Sequence, residues 1–77
     1  MRMNLKLFRV KHGLSQDAMA KKLGYSRGHY AGIENGTQGV TLKLLEALQA
    51  AFGLSLDEAK ELTERDEERT EDDRDPS

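Results

Sequence analysis

Few side chains in this 77-residue chain are equipped for chemistry. The two histidines, His12 and His29, fall in separate predicted helices, and no cysteine joins them. A bound transition metal needs several convergent ligands, so the pattern points away from a metal or cofactor. Ser15, Ser26, Thr41 and Ser55 each stand just before a predicted helix, where a hydroxyl caps backbone N–H groups instead of attacking a substrate. No glycine-rich loop follows a strand, and no paired carboxylates line an apolar wall. The chain does not read as an enzyme. What remains is cationic: residues 1–54 hold Arg2, Lys6, Arg9, Lys11, Lys21, Lys22, Arg27 and Lys43 against Asp17, Glu34 and Glu46, a net of +5. Residues 55–77 hold four basic residues against eleven acids, a net of −7. The basic lobe has the sign needed to approach a polyanion.

Caps and periodicity place five helices under these side chains. The first lies in NLKLFRVKHG, with Asn4 as the expected cap, Leu5 and Phe8 inward, and Gly13 as the stop. SQDAMAKKLG follows, capped by Ser15 and closed by Gly24, with Met19, Ala20 and Leu23 inward. SRGHYAGIENG runs from the Ser26 cap to Gly36 and buries Tyr30 and Ile33. TLKLLEALQAAFG, apolar on most sides through Leu42, Leu45, Leu48, Ala51 and Phe52, reads as the most buried helix. SLDEAKEL opens with Ser55 and Glu58 at capping-box spacing and carries the stripe Leu56, Ala59, Leu62. No strand pattern of useful length appears. A compact, all-α bundle follows. No apolar run approaches the roughly 20 residues of a membrane span, and no signal-peptide pattern opens the chain. The cytoplasm is the expected location.

Residues 1–64 thus form the expected domain, and 65–77 an acidic tail without large apolar residues. Like charges at helical spacing predict fraying between about residues 65 and 70. The tail reads either as a solubiliser or as a competitor for the basic face.

Residues 16–35 carry the densest pattern: a helix, a short turn at Gly24–Tyr25–Ser26, and a second capped helix. Ala20 supplies the small residue that two crossing helices need, and Gly24 tolerates the positive φ of the turn. Together with GLSQ at 13–16, LGYSR at 23–27, IENG at 33–36 and TLKLLEAL, this unit resembles the helix-turn-helix proteins of the Cro/C1 (Xre-like) phage-repressor type. The resemblance covers about residues 4–62. The combination of Arg27 with Gly32-Ile33-Glu34 and a proline-free VTL is similar to the controller proteins of restriction–modification systems, a subgroup of that family.

The resemblance implies a lambda-repressor-like, five-helix DNA-binding domain whose helix 27–35 enters the major groove. Arg27, Gly28 and Gly32 would occupy the positions that face base edges. Gln16, His29, Asn35, Thr37, Gln38 and Lys43 would meet the DNA backbone, and Arg9 and Glu34 would form a structural ion pair. It also implies a homodimer on a short palindrome, with Leu54, Leu56, Ala59 and Leu62 as the expected interface. Double-stranded DNA and a second copy are therefore the expected partners, with no cofactor, membrane or small-molecule substrate. A protein-interaction module on the same scaffold is the alternative reading. Gly28 and Gly32 raise a question of their own, because each glycine costs a helix roughly 1 kcal/mol relative to alanine. Two of the three base-facing positions lack a side chain, which suggests closer approach to DNA and readout through shape.

Overall fold

The computed structural model describes residues 1–65; the fraying and tail expectations beyond Arg65 lie outside the described residues. Five helices follow in order: α1 (Met3–Lys11), α2 (Gln16–Leu23), α3 (Arg27–Asn35), α4 (Leu42–Phe52) and α5 (Leu56–Leu62), with no strand among the described residues. Leu5, Met19, Ala20, Leu23, Tyr30, Ile33, Leu44, Leu45, Leu48 and Ala59 form one core fed by every helix. Phe8, Phe52, Leu54 and Leu62 pack on it half-buried. No helix among the described residues is long and apolar enough to cross a membrane.

Local chemistry ends the helices where the side chains dictate. Ser15, Ser26, Thr41 and Ser55 each accept a hydrogen bond from the backbone N–H three residues on. Ser55 and Glu58 close a reciprocal capping box, with the Ser55 N–H donating to Glu58 Oε1 at 2.8 Å. Between α2 and α3 the chain turns at Gly24, whose φ of 83° a side chain would resist. The Tyr25 N–H then donates to the Ala20 carbonyl at 2.8 Å, pinning α3 beside the small, buried Ala20.

The first helix departs from the expected start. It begins at Met3, Asn4 lies exposed inside its first turn, and Arg2 stands at the N-cap without a side-chain cap bond. The reason is tertiary: the Arg2 N–H donates to the Glu34 carbonyl at 2.8 Å, and the Arg2 carbonyl accepts from Lys6. Leu42 also departs from expectation, 62% exposed at the solvent side of the first turn of α4, while Leu44 takes the buried place. Periodicity alone cannot say which side of an almost wholly apolar helix faces inward.

Candidate nucleic-acid interface

The α2–turn–α3 unit is held from below by a polar cluster. Arg9 of α1 meets Glu34 of α3, with Nε 2.6 Å from Oε2, and Glu34 is 1% exposed. Two further donors converge on Glu34, Tyr30 Oη to Oε2 at 2.6 Å and Gln16 Nε2 to Oε1 at 3.1 Å, while Arg9 Nη1 donates to the Leu14 carbonyl at 2.7 Å. Burial by itself pushes the Glu34 carboxyl up; bonds from Arg9, Tyr30 and Gln16 outweigh it and hold the group below the usual carboxylate range. Burial, together with the bond to Glu34, pushes the Tyr30 phenol up, so it remains a neutral donor. The cluster ties α1, the start of α2 and the end of α3 into one rigid body.

Above this support, α3 presents Arg27, Gly28 and His29 to solvent. Nothing lies within 4 Å of a Cβ built on Gly28, so its missing side chain leaves open space. Gly32 differs. A Cβ there would stand 2.6 Å from Gln38 Cγ and 3.1 Å from Thr37 Oγ1, so the following loop occupies the room a side chain would need. The Gly32 carbonyl accepts from the Gly36, Thr37 and Gln38 N–H groups at 3.0, 2.9 and 3.1 Å. The two glycines of one helix face thus have separate physical reasons.

The residues expected at the DNA backbone fall into three groups. His29 stacks on Tyr25, rings 5.0 Å apart and 12° from parallel, and Lys43 Nζ lies 5.5 Å from the centre of the same ring. Asn35, Thr37 and Gln38 are exposed at the end of α3 and in the loop after it. Gln16 is half-buried and already bonded to Glu34, which makes it a member of the supporting cluster. Lys21 and Lys22 add exposed positive charge from the end of α2.

The expected interface residues separate as well. Ala59 is 0% exposed within the monomer's own core, so it offers nothing to a partner and leaves that set. Its position on the stripe reflects closure of the domain, since it joins the core cluster built from the other four helices. Leu56 is 40% exposed, and Leu54 and Leu62 are half-buried beside a groove shared with Asn4 and Phe8.

Sequence reasoning missed Arg2, which is 4% exposed. Its Nη1 donates to the Ile33 and Gln38 carbonyls and its Nε to the Thr63 carbonyl. A lone arginine ahead of a helix carries no signal of burial. The exposed apolar residues Met3, Leu7 and Val10 of α1 were also missed, although their spacing of four and three marks one helical face.

A helix-turn-helix family model matches residues 5–58. With the capped α2–Gly24–α3 unit and its solvent-facing Arg27, that match makes the chain a member of the helix-turn-helix family of the Cro/C1 type and a DNA-binding regulator, not an enzyme. It is 38% identical over 58 residues to an uncharacterised HTH-type transcriptional regulator of Methanocaldococcus jannaschii, covering 75% of this chain and 88% of the relative. It is 40% identical over 53 residues to the control protein C.MunI of a Mycoplasma species, covering 69% and 72%. A hypothetical transcription factor of Neisseria meningitidis serogroup B is 33% identical over 52 residues, 68% of this chain and 49% of that protein. No solved structure matches the chain.

Proposed function

We propose that the protein binds a short palindromic operator as a twofold homodimer, with α3 in the major groove, and regulates transcription by occupying or flanking a promoter. The observation that carries this reading is the bare edge of α3, where exposed Arg27 stands beside the open surface at Gly28. An arginine fork there matches the O6/N7 edge of guanine, and a missing side chain lets the helix backbone come close. His29, Asn35, Thr37, Gln38 and Lys43 contact phosphates on either side, and Gln16 contributes its second amide hydrogen. Leu54, Leu56 and Leu62 supply the apolar part of the dimer contact. The similarity to a control protein supports the controller subgroup. Residues 1–64 act as the binding domain and 65–77 as an acidic competitor for the basic face.

Selection from a random duplex pool, followed by mobility shifts over a salt series, tests this. The wild type should select an inverted repeat containing guanine in each half and should weaken steeply as salt rises. Arg27→Ala should lose the guanine preference, a change of roughly tenfold or more at that position. Equal weakening on every sequence would remove the direct-readout role. The exposed apolar face Met3, Leu7 and Val10 favours the second reading, an interaction module without DNA readout. That protein would bind duplex weakly at every salt concentration.

A further inference from the structure

The loop after α3 is held from two sides, and one of the clamps comes from the far end of the chain. Against α3, the Thr37 and Gln38 N–H groups donate to the Gly32 carbonyl, Thr37 Oγ1 donates to the same atom at 3.2 Å, and the Gln38 side chain fills the space left by Gly32. On the opposite side Arg2 Nη1 donates to the Gln38 carbonyl at 2.8 Å. The same guanidinium donates to Ile33 in the last turn of α3 and, through Nε, to Thr63 at the end of α5 at 2.8 Å. Carbonyls at a helix C-terminus carry partial negative charge, so a buried cation is suited to that place. Arg65 adds a bond from Nη1 to the Gly36 carbonyl at 3.3 Å.

We propose that Arg2 is a positioning residue for DNA binding: it presets the 36–38 loop so that Thr37 and Gln38 meet a phosphate without first being ordered. The inference rests on the major-groove docking of α3 proposed above. The physical gain is preorganisation. A loop already fixed loses little conformational freedom when the duplex arrives, whereas a loose one must be ordered at the cost of affinity. The guanidinium suits the task because its planar fork reaches three carbonyls on three segments in one geometry. A lysine ammonium at the same place keeps the charge but not the fork. Arg2 thereby also joins the end of α5, next to the proposed dimer contact, to the loop proposed to face phosphate.

The charge-conserving variant Arg2→Lys separates positioning from electrostatic attraction. Wild type and variant are titrated with a 30-base-pair random duplex over a salt series at 10 °C, with circular dichroism checking the fold. Amide hydrogen exchange is followed in the free proteins. The variant is expected to stay folded, to lose protection at Thr37 and Gln38 while α2 and α4 keep theirs, and to bind roughly three- to tenfold more weakly. Its slope of log affinity against log salt should match the wild type's, because the charge is conserved and Thr37 and Gln38 are neutral. An unchanged affinity in a folded Arg2→Lys would overturn the proposal and leave the docking of α3 intact. A variant unfolded at 10 °C would also overturn it, by making the arginine a support of the whole globule. Weak, salt-insensitive binding by the wild type would instead remove the docking reading on which the inference rests.

Discussion

Glu34 shows what one buried carboxylate contributes to a small domain. Its charged form is favoured in the fold by three donors, so its folded pKa lies below the unfolded one. The sign follows from linkage: this contribution is complete above the ordinary carboxylate value near 4.5 and is lost as pH falls through the lowered folded value. Glu34→Gln strands the Arg9 guanidinium and should cost about 3–5 kcal/mol. Thermal unfolding of the variant at pH 7 should show that loss, and its stability should decline less than the wild type's below pH 4.5. At the two glycines the expected outcomes diverge. Gly28→Ala meets no neighbour, so it should raise stability by roughly 1 kcal/mol in a denaturant titration while weakening DNA binding. Gly32→Ala should not be stabilising, because its new methyl group runs into the Gln38 side chain.

Short helices depend on their ends, and α5 has seven residues. An isolated helix of that length does not hold in water, so its caps and its packing carry it. Ser55→Ala removes one half of the capping box and should cost about 1 kcal/mol. Hydrogen exchange should show the loss first at Glu58, whose N–H donates to the Ser55 hydroxyl, and then at position 55, whose N–H the Glu58 carboxylate holds. The α2–α3 pair was legible from its sequence because Ser15, Gly24, Ser26 and Gly36 act on neighbours within four residues. The start of α1 was not, because its first turn is set by a bond from Arg2 to Glu34, thirty-two positions away.

For the whole molecule, charge is the quantity that separates its two ends. Residues 66–77 carry seven acids against two arginines, so deleting them turns a chain of net −2 into one of net +3. If the acidic stretch competes for the basic face, the shortened chain should bind random duplex more tightly at low salt. The difference should vanish near 1 M salt, where screening reaches about 3 Å. Equal binding at every salt concentration would leave the tail as a solubiliser.

The linear order of residues was enough to determine the five helices, the bihelical unit with its cationic edge, and the family. Each of those depends on side chains within a few positions or on simple charge totals. Burial needed three dimensions. The loop that occupies Gly32's missing volume, the withdrawal of Ala59 into the core, and the seat of Arg2 between two helix ends all join residues distant along the chain. Such partners meet only when the core closes, and no local pattern in the string of residues encodes which of two similar glycines the closing loop will cover.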